Sequence, residues 1–312
     1  MRFFNAFLLW RVAASEPGKF SRRLANDMPA KVKKTADPAE ESPVVKTRIE
    51  EKQIQERVAI GAHVVHETIR REGREELKRS SSALAWSGLA AGLSMGFSMV
   101  AEGLLAAYLP RTDWAPLLAK LGYSVGFLIV VLGRQQLFTE TTLTAVLPLL
   151  SDRNAKTEVG VARLWGIVLG ANLVGTYLFA LCVGRIPVFS PHVQEALLEV
   201  SKGGAEASFG VTFVRAIFAG WLIALMVWLL PAAESARVSI IIIITYVIGL
   251  GGFNHVIAGS TKQLLLVVTG AETWGVFFLR FFLPTLLGNV AGGVSLVAFL
   301  GHAQVVAGSE AE

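Results

Sequence analysis

Long apolar runs fill the chain after residue 82, and their lengths predict membrane-spanning helices. A helix needs about 20 mostly apolar residues to cross the hydrocarbon core of a bilayer. Six runs meet this requirement, and they cover approximately 83–109, 116–149, 164–184, 209–230, 238–268 and 273–300. The pattern therefore predicts an all-α polytopic membrane protein whose six-helix domain occupies residues 82–302.

The second and fifth runs are interrupted by glycine and polar residues, at 133–136 and at 249–255. Non-helical backbone is tolerated at membrane depth only where it is buried in protein or lines a cavity. Each interrupted run is the middle one of three, which predicts a 3+3 repeat with broken second and fifth helices. Three spans is an odd number, so the second half is predicted to be inverted in the membrane.

Two matching spacings support the repeat. Asn172 and Asn289 are 117 residues apart, and so are Phe138 and His255, which lie at the two interruptions. The alternative is a coincidence between common packing motifs that combine glycine with asparagine. If the repeat is real, the two interruptions point to a site near the middle of the membrane.

Charged residues concentrate before the first run and divide the N-terminal segment into two parts. Residues 1–81 hold 29 of the 53 Lys, Arg, Asp and Glu residues. Residues 1–45 are predicted to be a disordered cytoplasmic tail. Residues 46–81 carry Ile and Val at near-helical spacing, which predicts an amphipathic helix along the cytoplasmic face. Lys and Arg near the spans place both termini, including a short tail over 303–312, on the cytoplasmic side of an inner membrane.

Composition narrows the class of protein further. The chain is 53% apolar and only 17% charged, unlike a soluble enzyme. Cys182 is the single cysteine, so the sequence offers no disulfide framework and no cysteine-based metal site. The formal net charge of the chain is +5. In a membrane protein such an excess more often reflects Lys and Arg in the cytoplasmic loops than binding of nucleic acid, so nucleic acid is not an expected partner. The sequence contains no nucleophile–base motif, and neither catalysis nor a metal or other cofactor is expected.

His255 is the strongest candidate for a functional residue. It lies in the middle of the fifth run, beside the glycine-rich interruption. An ionisable side chain at membrane depth is costly and marks a functional site by default, and histidine can change its charge near neutral pH. A histidine at a pore centre could therefore hand a proton to a passing weak acid. The alternative is a neutral histidine that only supports packing.

Residues around the two interruptions are the next candidates. Phe138 could form a hydrophobic constriction or simply pack against a neighbouring helix. Thr139 could hydrogen-bond the freed backbone or a solute, and Glu140 could face a vestibule or pair with Arg134. Two buried asparagines, Asn172 and Asn289, could hold the interrupted backbone or contact the solute, since amides both donate and accept hydrogen bonds.

Several of these residues belong to motifs that together resemble the formate/nitrite transporter family. The motifs are Leu137-Phe138-Thr139, Gly252-Phe253-Asn254-His255, Gly288-Asn289-Val290-Ala291-Gly292-Gly293, and the run from Phe213 to Leu222 that leads to Val227-Trp228. The resemblance covers about residues 80–305. Within the family it points to the YfdC-like branch, judging from residues 134–140 and 301–304.

The resemblance implies an aquaporin-like protomer of six transmembrane helices that assembles as a homopentamer with one pore in each protomer. It implies passage of small monovalent anions such as formate or nitrite, or of their neutral acids. The family's central histidine corresponds to His255, which lies beside Asn254, and its threonine corresponds to Thr139. The hydrophobic constriction corresponds to Phe138 and approximately to Val125 and Ile248.

The chain departs from the family pattern before the fourth run, where the family carries a vestibule lysine. That position falls near 204–206 and not on Lys202. If Glu206 takes the place of the lysine, the local field would repel anions and attract cations. The family's asparagine before the tryptophan of the fourth helix is also replaced, by Gly220.

Three functional hypotheses follow from the sequence. The first is a passive or proton-coupled channel for small monovalent solutes, with His255 as a proton donor or polar site. The second is a pore whose selectivity is altered towards a cation or a neutral molecule, because of Glu206. The third is a membrane scaffold that does not transport and uses residues 1–81 to bind a cytoplasmic partner. The expected partners are further copies of the chain, the lipid bilayer and the solute.

Overall fold

The structure is a computed structural model, and it describes residues 61–152, 154–205 and 207–296. This part of the chain is helical and contains no strand. The helices are α1 (Ala62–Lys78), α2 (Ser81–Tyr108), α3 (Ala115–Ala119), α4 (Ser124–Leu132), α5 (Phe138–Thr144), α6 (Val146–Ser151), α7 (Ala155–Arg185), α8 (Pro191–Ser201), α9 (Phe209–Leu229), α10 (Arg237–Leu250), α11 (Val256–Thr269), α12 (Trp274–Val276) and α13 (Leu283–Leu296). Three 3₁₀ segments cover Lys120–Tyr123, Leu230–Ala232 and Glu234–Ala236, and a π-helical segment, Phe277–Phe282, joins α12 to α13.

Five helical stretches of the described chain are long and apolar enough to cross a membrane. They are Ser81–Tyr108, Ala115–Leu132, Ala155–Arg185, Phe209–Ala232 and Trp274–Leu296. Helix α11 is also apolar, but its 14 residues are fewer than a span requires. The prediction of an all-helical membrane protein is confirmed, and four of the five stretches begin within about two residues of the predicted runs.

Two helical boundaries differ from the prediction. Helix α7 begins at Ala155, earlier than the predicted 164, because the Asn154 side chain caps it by accepting a hydrogen bond from the Thr157 amide at 2.9 Å. Helix α8 was not predicted at all. Its apolar stripe is short, and it buries Val193 and Leu197 against the rest of the protein. The predicted residues 297–300 of the sixth run lie outside the described residues.

Both interrupted runs leave the helical conformation near the predicted positions. The first interruption separates α4 from α5, and there Arg134 adopts a left-handed φ of 48°. The second separates α10 from α11, and there Gly252 has a φ of 59°. The second interruption is shorter than predicted, because Gly249 and Leu250 are still helical.

Glycines allow two pairs of helices to approach closely. Helix α2 packs on α7, and a Cβ added to Gly92 would overlap the Asn172 backbone. Helix α9 packs on α13, and a Cβ added to Gly220 would overlap the Asn289 backbone. The departure from the family pattern at Gly220 therefore has a packing reason, since a side chain there would drive these helices apart.

Helix α1 is docked on the protein through its apolar stripe. Val65 and Ile69 are buried, and Gly73 lies directly against the Thr144 carbonyl of α5. Arg74 also forms an ion pair with Asp152, 2.6 Å away. Residues 46–60 of the predicted amphipathic helix lie outside the described residues, as do the predicted tails over 1–45 and 303–312.

Candidate pore site

The structure brings together the central residues that the sequence singled out. The Thr139 Oγ1 and the His255 Nε2 are 2.8 Å apart, although 116 residues separate them along the chain. Both side chains are almost completely buried, with exposed fractions of 0% for Thr139 and 1% for His255. Thr139 lies in the first turn of α5, and His255 immediately precedes α11. The two interruptions therefore meet at this hydrogen bond.

The other ring nitrogen of His255 is occupied by backbone. His255 Nδ1 accepts hydrogen bonds from the amides of Ile257 and Ala258, both at 3.2 Å, and so caps the N-terminus of α11. A nitrogen that accepts carries no proton, so the hydrogen of the neutral ring is on Nε2. His255 consequently donates its N–H towards Thr139. Adding a proton to Nδ1 would break both capping bonds.

Asn172 holds the backbone of the first interruption. Its Oδ1 accepts from the Phe138 amide at 2.9 Å, and its Nδ2 donates to the carbonyls of Gln136 at 2.9 Å and Gly88 at 2.7 Å. One buried amide thereby satisfies the Gln136 carbonyl inside the break and the first amide of α5, and ties both to α2 through Gly88. An interrupted helix leaves such groups without helical partners.

Asn289 makes the same set of bonds at the second interruption. Its Oδ1 accepts from the Val256 amide at 2.8 Å, and its Nδ2 donates to the carbonyls of Asn254 and Ala216, both at 2.8 Å. Both asparagines are completely buried. Of the two interpretations drawn from the sequence, the structure places these amides on the backbone.

The hydrogen bonds correct the register of the sequence comparison. Asn172 and Asn289 make matching bonds, but the amide that each accepts from belongs to Phe138 in one case and Val256 in the other. By these bonds His255 corresponds to Leu137, and the two have nearly the same backbone angles, φ −106° and ψ 125° against φ −101° and ψ 126°. The bonds therefore match Phe138 with Val256 and shift the 117-residue spacing between Phe138 and His255 by one residue.

An aromatic ring packs on the buried histidine, and a second aromatic pair lies at the first interruption. The Phe127 ring meets the His255 ring edge to face, with centroids 5.0 Å apart, and it is fully buried. Phe138 packs against Trp165 at 5.8 Å, which agrees with the packing role considered for it. Of the other predicted constriction residues, Ile248 is buried and Val125 is partly exposed on α4. Phe127 was not predicted from the sequence, because nothing in its local pattern separates it from ordinary apolar residues.

A buried carboxylate joins two lysines near the end of α2 that lies away from α1. Glu102 is 1% exposed and pairs with Lys120 at 2.5 Å and with Lys262 at 2.6 Å. The three charges sum to +1. Lys262 lies seven residues after His255, so two turns of α11 place both residues on the same side of that helix. A cavity of about 470 Å³ is lined in part by Glu102 and Lys120.

Two of the three predicted vestibule residues, Lys202 and Glu140, lie among the described residues, and they differ in exposure. Lys202 is largely exposed and pairs with Glu199 at 2.6 Å. Glu206 lies outside the described residues. The Glu140 Oε1 is buried and has no hydrogen-bond partner among the described residues. Of the two environments considered for Glu140, the pairing with Arg134 is not seen among the described residues, where Arg134 is exposed at the interruption.

The fold and these contacts define a helical membrane protein with two interrupted helices that meet at a buried histidine. The family model described as formate/nitrite transporter matches residues 63–303. The inner membrane protein YfdC of Escherichia coli K12 is 41% identical over 251 residues, which cover 80% of this chain and 81% of that protein. The chain belongs to the formate/nitrite transporter family, as its motifs predicted.

Two further similarities concern proteins described as formate channels. The formate channel BtFdhC of Bacillus thuringiensis is 26% identical over 243 residues, covering 75% of this chain and 92% of that one. A solved structure described as a pentameric formate channel with formate bound has a TM-score of 0.60 and 20% identity, and it covers 76% of this chain and 99% of that chain. The structural likeness shows that the fold is shared. The relatives are transporters and channels, which supports a transport role over an enzymatic one.

Proposed function

We propose that the protein is a channel for small monovalent anions such as formate or nitrite, or for their neutral acids, and that Thr139 and His255 form the centre of its pore. The observation that carries this proposal is the buried N–H of His255, which donates to a hydroxyl group at 2.8 Å where the two interruptions meet. A carboxylate or nitrite oxygen is a stronger acceptor than a hydroxyl. A solute at this point would take the place of Thr139 as the acceptor.

In this proposal His255 acts as a polar site and keeps its neutral form at rest. The backbone amides at Nδ1 fix the tautomer, so the N–H is always directed towards the pore centre. A mechanism that stores an extra proton on His255 would have to uncap α11 at the same time. Hydrogen bonding to a charged solute contributes about 1.5–3 kcal/mol.

The proposed architecture follows the sequence prediction. Residues 82–302 form six spans in two inverted groups of three, with α3 to α6 as the broken second span and α10 with α11 as the broken fifth. The matched bonds of Asn172 and Asn289 support the repeat. Both termini lie in the cytoplasm, and α1 lies at the cytoplasmic end. The protomers assemble as an aquaporin-like homopentamer in the inner membrane, by analogy with the pentameric neighbour.

The charge that draws anions towards this pore is proposed to come from Lys120 and Lys262. The family's vestibule lysine is missing near 204–206, but the Glu102 cluster carries a net charge of +1 on the predicted outer side. Lys262 Nζ lies 5.5 Å from the centroid of the Tyr123 ring, which packs on Phe127 and thus leads to His255. This arrangement favours the anion hypothesis over the cation hypothesis.

Flux into liposomes containing the purified protein tests the proposal. The panel covers formate, nitrite, acetate, a monovalent cation and a neutral solute across pH. His255→Ala should lower formate or nitrite flux by about 10-fold or more, because the pore centre loses its donor. The matched control is His192→Ala, which removes an exposed histidine that bonds the Ala107 carbonyl. Unchanged anion flux in His255→Ala would remove His255 from the mechanism.

A further inference from the structure

Two buried threonine hydroxyls between helices α9 and α13 lack a hydrogen-bond partner. Thr212 on α9 and Thr285 on α13 are both 0% exposed, and the Oγ1 of each has no partner among the described residues. A buried hydroxyl without a partner costs free energy, because it gives up its bonds to water on folding. In a folded protein such groups are rare, and a pair of them indicates a bound partner such as an ordered water.

Hydroxyls on the helices that pack against α9 find an acceptor within their own helix. Thr142 on α5 donates to the carbonyl three residues earlier at 2.7 Å, and Thr245 on α10 donates to the carbonyl four residues earlier at 2.6 Å. This local bond is open to any threonine in a helix. Thr212 and Thr285 do not make it, so their hydroxyls are available to a ligand between the helices.

The two threonines are neighbours in the contact between α9 and α13. These helices run in the same direction, since their close contacts advance together along both of them. Asn289 on α13 donates to the Ala216 carbonyl on α9 at 2.8 Å. Thr285 lies four residues before Asn289, and Thr212 lies four residues before Ala216. Residues four apart share a helix face, so one turn along both helices leads from this hydrogen bond to the threonine pair.

The contact between α2 and α7 provides an internal comparison. There Asn172 donates to the Gly88 carbonyl, so Gly88 corresponds to Ala216. One turn earlier on the same two helices lie Leu84 and Val168, which are both 0% exposed. Two apolar side chains thus fill the place that corresponds to the threonine pair. Helix packing alone therefore does not account for the two hydroxyls.

We propose that Thr212 and Thr285 bind one water molecule, which bridges α9 and α13. Each hydroxyl can donate one hydrogen bond and accept others, and a buried water takes two to four such partners. The ligand is water and not an ion, because neither threonine carries a charge that would balance a buried one.

The water lies one helical turn from the bonds by which Asn289 holds the second interruption, which carries His255. It thus belongs to the support of that interruption and not to the hydrogen bond between Thr139 and His255. The site does not depend on which solute the protein carries, nor on whether it carries one.

Thermal unfolding of the purified full chain in detergent tests the site through a double-mutant cycle. Valine keeps the branched shape of threonine and lacks the hydroxyl. Thr212→Val or Thr285→Val alone should lower the Tm, because the water and the remaining hydroxyl lose a partner. The double variant should lower the Tm by clearly less than the sum of the two shifts, because it leaves no unsatisfied hydroxyl.

The opposite signs are expected if no water is bound. Each single change would then remove an unsatisfied hydroxyl and raise the Tm, and the two shifts would add. Either a raised Tm in the single variants or simple additivity in the double variant would overturn the proposal. Val168→Thr is the matched control, because it introduces one hydroxyl at the corresponding place beside Leu84 and should lower the Tm.

Water-edited solid-state NMR of the full chain in lipid vesicles gives a measurement that does not depend on stability. Magnetisation passes from water to protons that lie close to it, and the two threonine signals are assigned by their loss in the valine variants. Thr285 should receive magnetisation in the wild type and much less in Thr212→Val. Thr176 is the reference, because it is 0% exposed and donates to the Leu173 carbonyl at 2.9 Å. Transfer to Thr285 as weak as that to Thr176 would also overturn the proposal.

Discussion

His255 uses its two ring nitrogens for different tasks. Nδ1 caps α11 and so belongs to the scaffold, while Nε2 carries the hydrogen that faces Thr139. The chemistry of the pore centre and the start of a helix are therefore tied to one side chain. An apolar residue that resembles histidine only in size would lose both roles.

The asparagines that hold the interruptions give a prediction at the scale of single residues. Asn172→Asp and Asn289→Asp should each lower the free energy of unfolding by about 3 kcal/mol or more. Each change keeps the shape but replaces two donated hydrogen bonds with a buried negative charge facing carbonyl oxygens. The measurement is thermal or denaturant unfolding in detergent, and the same change in both variants is expected because their bonds match.

Asn154→Asp serves as the control for these variants. Asn154 is an exposed helix cap, and aspartate caps equally well, so the change should stay within about 0.5 kcal/mol. If Asn172→Asp or Asn289→Asp were as mild as this control, the asparagines would not be holding the interruptions.

Single residues differ in how far the sequence reveals them. His255, Thr139 and the two asparagines were predicted, because polar residues inside apolar runs stand out. Phe127 and Lys262 were not assigned to the site. Phe127 looks like any apolar residue, and Lys262 looks like a charge at the end of a span. Only the folded chain brings Phe127 to His255 and Lys262 to Glu102.

At the scale of elements, α1 shows what a stripe of apolar residues can and cannot predict. The spacing of Val65 and Ile69 predicted the helix correctly. The same stripe suits a lipid surface or a protein groove, and the sequence does not distinguish them. The structure places the stripe on α5 and α6, with Gly73 at the closest contact.

Gly73→Ala should weaken the docking of α1. A Cβ at this position overlaps the Thr144 carbonyl, and such overpacking costs about 1–3 kcal/mol. Hydrogen exchange or limited proteolysis of residues 62–78 should become faster in the variant. Gly61→Ala is the control, since a Cβ there meets no atom within 4 Å. Equal protection of α1 in both variants would contradict the docking.

The interruptions were predictable as features but not in their exact bounds. Glycines and polar residues mark where a helix is weak, yet Gly249 and Leu250 remain helical. At such a boundary the helical and non-helical conformations have similar free energies, so tertiary contacts determine where a helix ends and where the next one begins. After each interruption, the bond from an asparagine to the first amide of the following helix fixes where that helix begins.

At the scale of the whole molecule, charge is distributed unequally between the two ends. The end near Lys262 and Lys120 carries a net positive cluster around the buried Glu102. The end near α1 carries charges of both signs, many of them paired with each other, as Arg74 is with Asp152. Composition alone gives only the total charge, which says nothing about this distribution.

The positive cluster of Glu102, Lys120 and Lys262 predicts opposite changes of anion flux in two variants. Lys262→Gln reduces the cluster charge from +1 to zero, and Glu102→Gln raises it to +2. At low ionic strength, anion flux should fall by several-fold in the first variant and rise in the second, and high salt should reduce both effects. A misfolded variant does not gain flux, so the increase is the informative result.

The exposed Lys202→Gln is the control for this pair, because it removes a positive charge outside the cluster. If it changed the flux as strongly as Lys262→Gln, the effect would come from overall charge. Equal flux in Glu102→Gln and Lys262→Gln would rule out the cluster as the source of the attracting field.

The bonds of the two asparagines divide the molecule in a way that bears on its evolution. Every partner of Asn172 lies within residues 88–138, and every partner of Asn289 lies within residues 216–256. By contrast, the contacts Thr139 to His255 and Glu102 to Lys262 join one half to the other. Each asparagine thus supports its own interruption, while the residues proposed to set selectivity lie between the two supported regions. Mutation and recombination can alter those residues and leave both supported regions intact, so new substrates can evolve without a new fold.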